Sequence, residues 1–463
     1  MSSLLLRGGL WLSFAVVVVA VYLGLQGPLQ QVFTSAPQGQ TFCYSKGVTT
    51  RFSTESSAAC FTVEDGQFGE VFTPASEPAD LRPGHAIPGL WDGHGHLSQY
   101  GEFLHSVDLF GSTSVKDAKH RLTDYVLGHE GVGSREDWIR GVGWDQMDML
   151  ADFDGLYIML DRVDVHCVWV SQAVLDLLPD DLPDIPGGEI VREPGMGVFC
   201  DNAMEVVMKC WPRPDDARKT TFLRSAMTSL HQVGLVGVHD AGVYTNELQL
   251  YKEILGADDW TLRVYAMIEC EERNTFCPEK VPAFTDGDGF LSVKSVKLFA
   301  DQERMHSMGI IPSIQPTHAT SDMSYAELRL GSKRTATEAY RMRSLLDLQP
   351  ILGSDFPVEP PNPFEGIYAA VTRRSPHTGK GADGSLNGWH AEEALTLREA
   401  LVGFTEGPAH GAFLEGKAGV IQPGAMADWV VLDEPLESMD VEDIRHLKVR
   451  ETWVAGRRVY LRE

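Results

Sequence analysis

Three short motifs in this sequence carry side chains that can hold an ion and move a proton. The first is Pro88-Gly89-Leu90-Trp91-Asp92-Gly93-His94-Gly95-His96-Leu97. Alternate side chains on a strand share a face, so His94 and His96 point the same way. Two neutral imidazoles so placed can grip one ion such as zinc. HxH spacing also arises by chance as a histidine pair on a polar edge, but here a Pro-Gly turn and an apolar strand precede it. The second motif is Gly353-Ser354-Asp355-Phe356-Pro357. An Asp at a strand end can bind a metal and take a proton from an activated water; standing alone it reads more often as a helix cap. The third, Val296-Lys297-Leu298-Phe299-Ala300-Asp301, places Lys297 near the end of an apolar strand. A buried lysine is costly unless paired or modified, which leaves an ordinary ion pair and a metal-bridging carbamate both open.

The elements that must position these motifs are apolar runs followed by turns and helical stretches. Strands are expected at 86–92, 235–240, 262–268, 293–300, 310–315 and 350–355. Such alternation means parallel strands with crossover helices, and a barrel of this kind carries its chemistry at the C-terminal strand ends. Residues 97–230 fit no simple strand-helix repeat and read as an insertion that covers the barrel mouth. Short strands at 67–73, 427–432, 448–454 and 457–461, the last two joined at Ala455-Gly456, place a small β domain at the two chain ends.

Composition narrows the function class. The chain has 463 residues, 43% hydrophobic and 22% charged, which is globular. Its 39 basic against 65 acidic residues give a formal charge of −26. That argues against nucleic acid, whose phosphates require a basic face. Residues 4–25 are almost wholly apolar, with Arg7 near the front and no further Lys or Arg until Lys46. The run from 8 to 25 is long enough to cross a bilayer, and the charge bias puts the short N-terminus in the cytosol. No small-x-small cleavage site follows it, so an uncleaved anchor is expected rather than a removed signal peptide. Seven cysteines form no CxxC pair. Cys43 with Cys60 and Cys270 with Cys277 can bridge in an oxidising lumen, and buried free thiols fit the sequence as well.

Taken in order, these motifs resemble the amidohydrolase superfamily, closest to the branch called amidohydrolase family 3, in a membrane-anchored, fungal-type form. Further matches are Gly141-Val142-Gly143-Trp144-Asp145, Gly187-Gly188-Glu189-Ile190, Gly237-Val238-His239-Asp240-Ala241-Gly242, Ser313-Ile314-Gln315-Pro316-Thr317-His318 and the stretch from Gly419 to Asp428. The resemblance runs from Phe42 to Tyr460. It implies an α/β fold, a (β/α)8-type TIM barrel beside a small β-sandwich made by both chain ends, preceded by the N-terminal transmembrane helix. The boundaries are then 1–26 for the anchor, 27–40 for a linker, 41–88 with 411–463 for the sandwich, and 89–410 for the barrel. It also implies hydrolysis of non-peptide C–N bonds in small molecules, with one or two divalent ions, zinc being expected. His94, His96, Lys297 and Asp355 would be metal ligands, with Asp355 also the proton acceptor. His166, His318, Trp144 and Asp145 would bind substrate. Ser171 departs from the family, which has Asn there.

The pattern breaks after Lys297. The family carries a histidine at the end of the fifth strand and another at the end of the sixth, and neither is present. A barrel of about 250 residues spends about 30 per strand-helix unit, so the four units from the fourth strand to the eighth need about 120. From position 297 to position 355 there are 58. The fifth and sixth strands are therefore expected to be missing, with a clean break at Asp301-Gln302 that points to a skipped exon or a misplaced gene boundary. Such a chain would hold metal weakly or serve as a non-catalytic binding protein.

Overall fold

The structure is a computed structural model that describes residues 39–463 apart from 55, 145–152, 164, 194–195, 258, 271–274, 298–307 and 309. The apolar run at 4–25 and the break at Asp301-Gln302 lie outside the described residues. Among the described residues no helix is long and apolar enough to cross a membrane.

Six parallel strands carry the chemistry-bearing motifs. Leu291–Val296, Arg263–Ile268, Leu235–Val243 and Leu90–Gly95 form one ladder in that spatial order. Ser313–Ile314 and Ile351–Leu352 pair in parallel beside it. The two groups join where Gly95 bridges Phe356, with Asp355 N donating to His94 O at 2.7 Å and His96 N to Phe356 O at 2.8 Å. Expected strand 86–92 is in fact two. His85–Pro88 joins the terminal sheet and Leu90–Gly95 the barrel ladder, and the chain changes sheet at Gly89. Glycine is required there, since a Cβ would sit 2.5 Å from Val236 Cγ2.

An eight-stranded closed barrel is not found among the described residues. No ladder connects Leu291–Val296 to Ser313–Ile314. Instead the short strand Phe284–Thr285 pairs antiparallel with the outer edge of Leu291–Val296, opposite Val293 and Ser292. A free parallel edge is a template for unwanted pairing, and this strand covers the first part of it.

The chain ends do combine, but in one seven-stranded sheet rather than two packed sheets. Its order is Arg457–Leu461, Glu451–Val454, Trp429–Leu432, His85–Pro88, Gln40–Arg51, Ser56–Glu64, Gln67–Phe72. Phe42, Phe61, Phe68, Trp429 and Trp453 pack ring on ring on one side, together with Val420, Ile421 and Ala425 from the preceding loop. That loop takes the place of the second sheet a sandwich would need. The buried pair Arg263–Asp428 joins this sheet to the third barrel strand, and Asp428 also accepts from Ala455 N at 2.8 Å.

Residues 107–201 of the expected insertion build their own sheet, with strand order Gly188–Val191, Val198–Asp201, Cys167–Val170, Ile158–Arg162, Ile139–Trp144, Val107–Asp108. Helices Leu97–Leu104 and Asp216–Gln232 flank it and press together so closely that a Cβ on Gly101 would lie 2.3 Å from Phe222 O. Of the alternatives the sequence left open, Cys43–Cys60 and Cys270–Cys277 are bridged rather than free, and Cys167 with Cys200 forms a third disulfide between facing residues of adjacent strands. Cys210 is free.

Two outcomes follow from this packing. Replacing Asp428 with Ala strands a buried guanidinium, and chemical denaturation should report a loss of about 3–5 kcal/mol, whereas an apolar pair in place of both residues should recover much of it. Thiol titration of the denatured, unreduced protein should find one reactive thiol per chain, and three or more would contradict the pairing.

Candidate metal centre

The first barrel strand is held to the last by a buried carboxylate. Asp92 is 1% exposed. Its Oδ1 accepts from His94 N at 2.9 Å, and its Oδ2 accepts from Ser354 Oγ at 2.7 Å and Ser354 N at 3.1 Å. Burial pushes its carboxyl up to about 7, against the pull of these hydrogen bonds. The strands approach this closely only because Gly353 lacks a side chain, as a Cβ would stand 2.4 Å from His94 N and 2.5 Å from Asp92 Oδ1. Asp92 and His94 share a strand face, and His96 ends the strand as the N-cap of helix Leu97–Leu104.

This clamp brings His94, His96 and Asp355 together, with ligand-capable atoms all within 4.8 Å of one another. His96 Nε2 lies 3.1 Å and His94 Nε2 3.5 Å from Asp355 Oδ1. The three side chains are 19% to 23% exposed, so the cluster is mostly buried yet reachable. Asp355 sits in the left-handed backbone region at φ 63°, a conformation that costs energy in a non-glycine residue and recurs at functional sites. Burial raises its carboxyl, but the hydrogen bond from His96 and the charges of His94, His96 and His318 outweigh this, and the net direction is down. Burial also drives His94 down to about 3, so its imidazole is neutral. Nδ1 of His94 faces Ser313 Oγ at 3.2 Å, and that hydroxyl lies 3.3 Å from Gly93 O, to which it donates. With the His94 proton on Nδ1, the Nε2 lone pair is left facing the cluster, the arrangement that supports a metal-bound histidine.

Lys297 follows the strand Leu291–Val296, and its Nζ donates to Ala241 O at 2.9 Å. Burial pushes its amine down, opposed by Asp355, Glu269 and Asp240. His318 stands beside the cluster, its Nε2 3.7 Å from Asp355 Oδ2.

The remaining expected residues are placed elsewhere. His166 lies on the insertion, 69% exposed and paired with Asp201 at 3.0 Å. Trp144 is a core residue of the insertion sheet, 5% exposed, its indole N–H donated to Leu160 O at 2.7 Å. A buried indole needs a partner, and the backbone carbonyl of Leu160 supplies it. Asp145 lies outside the described residues. Ser171 closes the insertion core, accepting from Ile158 N and donating to Leu156 O. Sequence reasoning passed over Asp92 and Ser313. Asp92 shares the strand period with His94, which was the available signal, and Ser313 opens the motif that ends in His318.

Comparison with known proteins places this geometry in a family. The sequence matches the profile of the Amidohydrolase family in two stretches, residues 78–303 and 299–460. It is 23% identical to the Bacillus subtilis (strain 168) protein YtcJ, itself assigned as an amidohydrolase, over 492 aligned positions that cover 84% of this chain and 91% of that protein. Since 84% of 463 residues is about 389, about 103 of those 492 positions face no residue of this chain. Over 156 residues, 33% of this chain and 27% of the other, it is 30% identical to the N-substituted formamide deformylase of Arthrobacter pascens. The fold is shared with an uncharacterised metal-dependent hydrolase of Pyrococcus horikoshii, at TM-score 0.67 and 17% identity over 87% of this chain and 99% of that one. A Pyrococcus furiosus counterpart gives 0.66 and 19%, over 87% and 100%. Because the profile spans both the strand that ends in His94 and the one that ends in Asp355, the chain belongs to the amidohydrolase family.

Proposed function

We propose that this protein is a metal-dependent hydrolase of small molecules bearing a non-peptide C–N bond, its divalent ion, zinc, held by His94, His96 and Asp355. The observation that carries this reading is the convergence of those three donors within 4.8 Å. Two imidazoles and a carboxylate are a donor set suited to zinc. When bound, the ion supplies Lewis acidity that polarises the scissile carbonyl and acidifies a nearby water. The protein's own groups do the rest. Ser313 fixes the ring of His94, and the carboxylate of Asp355, favoured in its ionised form, takes the proton of the attacking water. The same carboxyl then returns a proton to the departing amine nitrogen. Lys297, at the end of its strand, adds positive charge or, if carboxylated, a further ligand.

The reading includes an anchor at 1–26 with the folded part lumenal or extracellular; the three disulfides suit an oxidising compartment. It also includes the loss of the fifth and sixth strand-helix units. Support comes from the unclosed ladder between Leu291–Val296 and Ser313–Ile314 and from the two profile stretches that meet at 299–303. The same open ladder favours a second reading, a non-catalytic protein that keeps the fold without turnover.

The Arthrobacter relative's name supplies a first substrate, an N-substituted formamide, cleaved with one water to an amine and formate. Formate release should be measurable above background and should fall by at least about a hundredfold in Asp355→Asn with the circular dichroism unchanged. Equal rates in the two proteins would remove Asp355 from the mechanism. Amplifying the transcript across the codons for Asp301 and Gln302 should yield a longer product encoding two more strand-end histidines. If the short product alone is found, the non-catalytic reading gains.

A further inference from the structure

We infer that His318 is a direct metal ligand, completing a centre of three imidazoles and one carboxylate that stands without the fifth and sixth strands. The inference rests on the reading of His94, His96 and Asp355 as a metal site and adds to it a residue that sequence resemblance assigned to the substrate pocket.

Distances make the first argument. Donors 2.0–2.1 Å from a tetrahedral zinc lie about 3.4 Å from one another. Around Asp355 the three imidazole Nε2 atoms stand at 3.1 Å for His96, 3.5 Å for His94 and 3.7 Å for His318. Two approach Oδ1 and the third Oδ2, so His318 meets the carboxylate on its other oxygen, just outside the trio whose donors all lie within 4.8 Å of one another, and a small movement of its ring would bring it to a shared ion.

The state of the His318 nitrogen makes the second. Its Nε2 is buried and, among the described residues, has no hydrogen-bond partner. At 3.7 Å the Asp355 oxygen is too far to serve as one. A buried polar atom left unsatisfied costs about 1–3 kcal/mol, and such an atom in a folded protein calls for an explanation such as an ion. A cation between Asp355 and the three rings satisfies it.

Placement makes the third. Ser313–Ile314 runs into Gln315 and then helix Pro316–Asp322, whose opening proline sets its direction. Pro316, Thr317, Ala319 and Thr320 are buried, which holds His318 in place. The strand before it pairs with Ile351–Leu352, and the bridge from Gly95 to Phe356 continues to the strand of His94. All four donors thus come from three hydrogen-bonded neighbours, at the end of the ladder opposite Leu291–Val296.

The test uses Co2+ and Zn2+ as probes on the full protein, its His318→Gln and His96→Gln variants, and His318→Gly with and without added imidazole. Wild type should bind one Co2+ per chain with the intense visible absorption of a four-coordinate site. His318→Gln should weaken Zn2+ binding at least about tenfold and bleach the cobalt band, and imidazole should restore the band in His318→Gly. If His96→Gln loses the ion while His318→Gln keeps both affinity and spectrum, His318 is not a ligand and the three-residue centre stands. If wild type takes up neither ion, the metal reading itself falls, and this assignment with it.

Discussion

The clamp at Asp92 is the interaction on which the rest of the site depends. One carboxylate takes hydrogen bonds from the backbone of His94 and from both the backbone and hydroxyl of Ser354. It therefore ties together the two strand ends that carry the metal-binding candidates. Beyond it and the contacts of Asp355 with His94 and His96, the described residues of the two strands share a bridge at Gly95 and Phe356 and two flanking backbone bonds. Removing the carboxylate would leave three donors facing a dry interior, each at a cost of about 1–3 kcal/mol. The separation of His94 and His96 from Asp355 is thus set beneath the site, by a buried acid and by Gly353, which lets the strands approach it.

Among the described residues the ring of strands does not close. A closed barrel removes its own edges, whereas among the described residues the ladder ends at Leu291–Val296 on one side and Ser313–Ile314 on the other. Phe284–Thr285 shields part of one edge. The centre is nonetheless assembled, because its donors lie on adjacent strands at the other end of the ladder, while Lys297 belongs to the strand beside the opening. Whether the chain turns over substrate is therefore a question about water and substrate access more than about whether the donors can meet.

Much of this was legible in the sequence, because strand period and strand order are written locally. His94 and His96 share a side of their strand as the HxH spacing implied, and Asp355 joins them as the family resemblance implied. What was not legible depended on contacts far along the chain. The switch of sheets at Gly89 is imposed by Val236, well over a hundred residues on. The disulfide Cys167–Cys200 arises from antiparallel register that no spacing rule reveals. Trp144 sits in a motif that suggested a pocket, yet the carbonyl of Leu160 and the ring of Trp169 claim it for the insertion core. The terminal strands were found where expected, but the loop at 420–425 closes their aromatic face in place of a second sheet.

The most direct test of the account is a crystal of the protein grown with zinc, with diffraction recorded on either side of the zinc absorption edge. The account predicts one anomalous peak between the Nε2 atoms of His94 and His96 and the carboxylate of Asp355. A map with no peak there, from crystals that diffract well and hold zinc in the mother liquor, would contradict it.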